Sequence, residues 1–475
     1  NGVDDDLDGL VDGADPDCVG ATFVVNSTSD DAVPSPNPCF TGGVCTLRAA
    51  IVAANSDLAA DTIVVPDGTY ELGMAGRNED AGLTGDLDVT GPVVIEGAGA
   101  GATVIDARGI DRVLSVLGPG DPAARCQAYC AQFPDRCDEC LPDTLMRATL
   151  RGLTIRGGQA QGPGGGILSN NSRLRLEDAR VEDCATEPSP FGYFHSGGGI
   201  DSTGELILVR SEIVRNRVGS PGEPSSAQNV GGGIHHSGFV GYTRFAGLTA
   251  LEIRESVIAE NYAPRGGGVA AFGSLPLRIV DSAIRGNRAA DSGGIYAETY
   301  AIEIERSTIA RNVADSVAGM YAWIFSDTSL PQDPAIPDVG RLNLRASSIV
   351  ENASETGAGG LVILCDGSIC EAAIENATIS SNTVANPPAG FIGAGGLYLR
   401  AASGEVGPST LSATLSHVTI AANAEGPNLP SVALLGDAFG FLDVTWSGAI
   451  ADGACHLDPE VENASLGGNV ERDAT

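Results

Sequence analysis

Lysine is missing altogether: every one of the 27 basic residues is arginine, set against 61 Asp and Glu, for a net charge of −34. That balance excludes nucleic acid and anionic membrane surfaces as natural partners, since both carry the same sign. Cations, surface glycans or other cells stay open as partners. No apolar run reaches the ~18 residues of a membrane-spanning helix, so no membrane span is expected. No initiating Met and no signal peptide are present, and Asn1 falls in mid-motif, so the chain reads as a processed or trimmed product. Helical periodicity is absent across most of the chain.

What replaces it is repetition. From about residue 164 to 424 one unit recurs: a glycine run, a short apolar strand, a second strand, then Ser-x-Ile and an asparagine. Its clearest copy is Ser292-Gly293-Gly294-Ile295-Tyr296, Ile302-Glu303-Ile304-Glu305 and Ser307-Thr308-Ile309-Ala310-Arg311-Asn312. Asn216, Asn261, Asn287, Asn312, Asn352, Asn382 and Asn423 mark successive units, and Asn287 and Asn312 lie 25 residues apart. Wider spacings hold loop-like extra sequence such as Ser326–Gly340 and Asn386–Ile392.

A fixed period in this range means stacked units. Strands this short, without helices between them, fit one turn of a parallel β-helix, each pairing with its equivalent one coil away. The expected fold is therefore all-β: a right-handed parallel β-helix, three strands per coil, with coils about 4.8 Å apart. Glycine, 64 of 475 residues, is expected at corners needing positive φ or close approach. The asparagine column reads as a ladder of side-chain amides or, alternatively, as a row of sugar contacts.

The domain plan follows in chain order: an Asp-rich motif at 1–20, an N-terminal strand and capping helix at 21–60, the β-helix at 61–451 with a Cys-rich insertion at 121–142, and a tail at 452–475. In the first segment Asp4, Asp6 and Asp8 take positions 1, 3 and 5 of a twelve-residue calcium loop. Gly9 takes the turn, Leu10 offers its carbonyl, and Asp12 and Asp15 fill positions nine and twelve. Crowded carboxylates with hard oxygens suit Ca²⁺, although Asp15 stands where an EF-hand has Glu. Thr22–Asn26 reads as a strand. Cys45–Asn55 reads as the one good helix, with Leu47 and Ile51 on a common face, placed to cover the open end of the solenoid. Cys39/Cys45 and Cys365/Cys370 read as local disulfides on loop-like sequence. Cys126, Cys130, Cys137 and Cys140 read as two disulfides or a zinc site. Disulfides favour an extracellular or cell-surface setting. The tail shows no closing helix.

Cys45-Thr46-Leu47-Arg48-Ala49-Ala50-Ile51 followed by Asp61-Thr62-Ile63-Val64-Val65-Pro66-Asp67-Gly68-Thr69-Tyr70 resembles the CSLREA-type entry module of secreted bacterial β-helix proteins. The Gly-Gly-Gly-Ile and Ser-x-Ile-x-x-Asn units resemble the same pectin-lyase-like superfamily and, more loosely, polymorphic outer-membrane proteins. The resemblance covers about residues 22–475, and Ala49 stands where the module's name has Glu. It implies a secreted or surface protein of mostly unassigned role.

Catalytic signals are sparse. Asp86 and Asp88 share a strand face but stand alone. Glu303 and Glu305 match ordinary outward positions, and Arg151 and Arg156 flank one strand. His195, His235, His236, His417 and His456 make no constellation, and the rings of His235 and His236 point to opposite faces if the chain there is extended. Tyr193, Tyr242, Phe245, Tyr321, Trp323 and Phe325 are placed on loops, as surface packing or sugar-stacking groups. The sequence reading is thus a non-catalytic, calcium-stabilised structural or adhesive β-helix that self-associates end to end into filaments or meets a cell-surface or glycan ligand. The alternative is a lyase or hydrolase acting on acidic glycans.

Overall fold

A computed structural model describes residues 20–56, 59–77, 79–118, 146–187, 195–220, 229–238, 250–273, 276–325, 339–366, 369–387, 394–402, 409–423, 430–436, 440–448, 450–452, 455–457, 462–465 and 470–472. Its strands form three parallel sheets of 24, 13 and 8 strands, and the chain winds as a right-handed parallel β-helix.

The clearest unit holds four strands in three sheets, whereas in Ile167–Glu177 and Ile200–Val209 the first two run as one strand and the coil holds three. Ile295–Thr299 and Ala301–Glu305 both belong to the large sheet, Thr308–Ala310 to the second and Val313–Ala314 to the third. The last of these is two residues long, too short to show any alternation in sequence. The four columns are called here the first to fourth ribbons, in chain order around the coil.

Equivalent residues stack. Ile302 pairs with Leu277 and Leu342, and Ile304 with Ile279 and Leu344, all buried. Glu303 and Glu305 face outward, as the alternation requires. The result is a lumen lined by Ile, Leu and Val from Phe23 to Ala451.

The asparagine column is wholly internal. Asn287 Nδ2 donates to Asn312 Oδ1 at 3.0 Å and to the Ile258 carbonyl at 3.0 Å, while its backbone N–H donates to the same Asn312 Oδ1 at 3.0 Å. The pattern recurs from Asn216 to Asn423. Asn287 and Asn312 are 0% exposed, so the sugar-contact reading is excluded: no solvent reaches these amides. A serine column runs beside it, with Ser282 N–H donating to Ser307 Oγ at 3.1 Å.

The corners use glycine in both expected ways. Gly286 (65°) takes positive φ immediately before Asn287, and Gly197, Gly231 and Gly266 (62°, 71° and 63°) do so where glycine runs open, whereas Arg306 (47°) and Arg311 (54°) hold that conformation in the next unit. Other glycines answer to space. A Cβ on Gly294 would sit 2.4 Å from the Gly319 carbonyl oxygen and 2.9 Å from Asn312 Nδ2. The glycine run thus lies against the asparagine ladder and cannot carry a side chain.

The lid is the helix Leu47–Ala54, N-capped by the Thr46 hydroxyl. Arg48, 1% exposed, donates to the carbonyls of Gly82, Gly85 and Asp86 at 2.8–3.0 Å and to the Asp30 carboxylate at 2.6 Å. Burial opposes ionisation of Asp30, yet Arg48 and the N–H groups of Gly73 and Met74 hold its carboxyl below the ordinary range. Cys39–Cys45 and Cys365–Cys370 are disulfides. The second pair, placed on a loop from sequence, joins the strands Leu361–Asp366 and Ile369–Glu375 with both residues 0% exposed. In the tail, Cys455–Leu457, Glu462–Ser465 and Val470–Arg472 continue the stack for one more coil.

Candidate active site

On the first ribbon, the residue after each glycine-run Ile, Val or Met faces outward. Reading up the stack, that position holds Asp201, His235, Ala270, Tyr296 and Tyr321. Two residues on, the neighbouring outward column holds Ser237, Phe272, Glu298 and Trp323. Parallel pairing in register is therefore what gathers these groups, from segments dispersed over more than a hundred residues of chain.

Asp201 is the pivot. Its Oδ2 lies 2.7 Å from His235 Nδ1 and accepts the Ser196 hydroxyl. With side-chain exposures of 5% for Asp201 and 14% for His235, the pair is largely withdrawn from water. Nδ1 is committed to the carboxylate, so proton exchange falls to Nε2. Ala270, 0% exposed, follows His235 in the column and stands between it and Tyr296. The Phe272 ring centroid lies 5.6 Å from His235 and 5.5 Å from Tyr296.

Tyr296 stacks on Tyr321 at 5.0 Å and 8°. The Arg265 guanidinium lies 4.7 Å above the Tyr296 ring and pairs with Asp291 at 3.3 Å. The Tyr296 hydroxyl donates to Glu298. Burial, reinforced by Glu298, drives the Tyr296 pKa far upward, so the phenol stays protonated. Burial also raises the Asp291 carboxyl, with Arg265 opposing.

The two adjacent histidines do lie on opposite faces. His236 points into the lumen, is 1% exposed, and neither ring nitrogen has a hydrogen-bond partner among the described residues. Burial, then the charge of His235, pushes its pKa down to about 3.

The other sequence candidates are placed as follows. Tyr321 and Trp323 lie on the strand Met320–Ile324, not on a loop, because their alternation with Met320, Ala322 and Ile324 puts the latter in the core. Asp86 and Asp88 do not stand alone. They are buried with Asp111, and Asp86 accepts the Ser115 hydroxyl at 2.6 Å with Arg112 at 3.4 Å. Burial, then Asp86, raises Asp88 to about 8. Arg151 pairs with Glu177 and Arg156 with Asp106 at 2.8 Å each, as surface ion ladders. His195 is buried, His417 sits at a positive-φ turn beside Ser416, and His456 is exposed. Asp4, Asp6, Asp8, Leu10, Asp12 and Asp15, the four clustered cysteines Cys126 to Cys140, and Tyr193, Tyr242 and Phe245 lie outside the described residues. Among the described residues no three His, Cys, Asp or Glu side chains converge as a metal set, and no helix is long and apolar enough to cross a membrane.

Asp201, Arg265, Phe272 and Tyr296 were not singled out from sequence. The signal was present: aligning units on the glycine run reads the outward column directly.

No protein-family model matches the chain, and no curated protein does. Solved structures to which the chain is similar include three of low identity. The Azotobacter vinelandii mannuronan C-5 epimerase AlgE4 A-module is 14% identical, with 90% of this chain and 93% of that one covered and a TM-score of 0.38. Pectate lyase Pel9A is 11% identical over 95% and 82%, TM-score 0.35. A mannuronic acid specific polysaccharide family 6 lyase from human gut microbiota is 10% identical over 94% and 92%, TM-score 0.34. Similarity at this level carries no inference about activity.

Proposed function

We propose that the chain is a glycan-cleaving enzyme of the lyase type, acting on uronate-containing polymers at the first-ribbon face. The observation that carries this reading is the Asp201–His235 pair with Phe272, Tyr296 and Arg265 grouped beside it. Hydrolysis needs a free acid and a free carboxylate base. Here Asp201 is engaged by His235 and Ser196, Glu298 by Tyr296, and Asp291 by Arg265. The group left to move protons is His235 Nε2, and a single base suits elimination.

In this mechanism Arg265 binds the uronate carboxylate and so acidifies the adjacent C5–H. His235 Nε2 removes that proton, and Asp201 stabilises the imidazolium formed. The electron pair forms the C4=C5 bond as the C4–O bond breaks. The departing oxygen takes its proton from solvent, and the imidazolium later returns its own to solvent. The test is a panel of uronate and neutral polymers, following unsaturated product near 235 nm. Product from a uronate polymer that disappears in H235A supports the reading, and no product from any uronate polymer overturns it.

This face favours catalysis over the purely adhesive reading. Calcium binding by Asp4, Asp6, Asp8, Leu10, Asp12 and Asp15 is also proposed, on the spacing of those residues alone. Titration of the full chain with Ca²⁺ checks it, absence of saturable heat in wild type being the negative result. An extracellular setting is supported by the two disulfides.

A further inference from the structure

The second ribbon carries a separate open trough of about 400 Å³, lined by Glu252, Arg254, Arg278, Glu303, Arg341 and Asn343. It spans four successive coils, because Glu252, Arg278, Glu303 and Asn343 stand in register on neighbouring strands. At the usual strand spacing that is a run of about 15 Å.

Its charge balance differs from that of the molecule. The chain has more than two acids for each base (61 against 27), yet here three arginines meet three glutamates, Glu371 being the partner of Arg341. Screening confines each charge's influence to about 8–10 Å, so an approaching ligand meets this local balance and not the net charge.

The arginines are held rather than loose. Glu252, only 14% exposed, contacts both Arg254 and Arg278, and Arg278 also lies 3.2 Å from Glu303. Arg341 pairs with Glu371 at 3.1 Å. Each guanidinium carries about five N–H donors, more than these neighbours can use, and the three side chains remain 45–50% exposed. Pro276 and Ala301 add apolar surface to the lining beside the charged groups. Apolar surface suits the face of a sugar ring, and planar guanidinium forks suit its acidic substituents.

We propose that this trough is a second, non-catalytic carbohydrate-binding surface for a glycan bearing carboxylate or sulfate groups. It does not depend on His235 chemistry and stands if the lyase reading falls.

The test is titration calorimetry in the H235A background, which prevents turnover, with oligogalacturonate, chondroitin sulfate oligosaccharides and neutral dextran. Saturable binding of one or both charged ligands, absent for dextran and weakened by salt, is expected; which of them binds tells carboxylate from sulfate. Adding R278Q or R341Q lowers affinity at least tenfold. Adding E303Q raises it several-fold, which decides the matter should an arginine variant fail to fold. Adding R265Q, at the separate site beside Tyr296, leaves the affinity of the trough unchanged. No saturable binding, equal binding of dextran, or loss in R265Q but not in R278Q overturns the proposal. Because R278Q is read by binding and H235A by product formation, the two readings fail separately.

Discussion

His235 and His236 are consecutive residues, and one ribbon places them in opposite worlds. His235 meets Asp201 at 2.7 Å on the outer face, whereas His236 lies in the lumen with its pKa pushed down to about 3. Two predictions separate them. On the outer face, H235A and D201N are expected to lower turnover by about 10²–10⁴-fold, the usual worth of a positioned general base, without changing the melting temperature. Kinetics on the best polymer of the panel, with a melt of each variant, checks this.

For His236 the sign follows from proton binding. Its unfolded value near 6.5 exceeds the folded one, so between roughly pH 6.5 and 3 the unfolded chain binds the extra proton, and stability falls as pH falls through that window. H236L, which removes the titrating group, is expected to flatten that acid limb. Melting temperatures from pH 7 to 3.5 measure it, and an unchanged slope would falsify the assignment.

Asp88 works in the other direction. Its folded pKa of about 8 lies above the ordinary 3.8, so between those values the folded chain holds the extra proton, and stability falls as pH rises. D88N keeps an oxygen for the Gly82 N–H, 2.9 Å away in the wild type, and loses the charge. It is expected to melt higher than wild type at pH 8, with the gap closing toward pH 4.

Removing one rung of the asparagine ladder is expected to be expensive. N312A leaves the Asn287 N–H and Nδ2 without their shared acceptor in a dry interior. A loss of about 3 kcal/mol is expected from the unsatisfied donors, read by denaturant unfolding. At the lid, R48M strands the Asp30 carboxylate and three carbonyls, and should cost about 3–5 kcal/mol.

The solenoid itself was legible because its repeat is a physical necessity: each inward Ile of Ile302-Glu303-Ile304-Glu305 must sit on another. The internal ladder was legible for the same reason, since Asn287 and Asn312 recur at the same place in each unit. The fourth ribbon was not, because a strand as short as Val313–Ala314 has no period to detect. The outward column was overlooked because its members differ chemically. Asp201, His235, Ala270 and Tyr296 look unrelated along the chain, and only register makes them neighbours. Arg265 was hidden further, on the fourth ribbon of the preceding coil, where it reaches Tyr296 across a glycine corner.

The gap between consecutive ladder asparagines varies, 25 residues from Asn287 to Asn312 and 40 from Asn312 to Asn352, yet the hydrogen bond between rungs stays at 3.0 Å. The spine is indifferent to how much chain intervenes between rungs. Such a scaffold lets excursions over the face of the molecule lengthen or shorten through evolution without resetting anything inside. Specificity for a new polymer could then change by loop exchange alone, on a framework that does not register the difference.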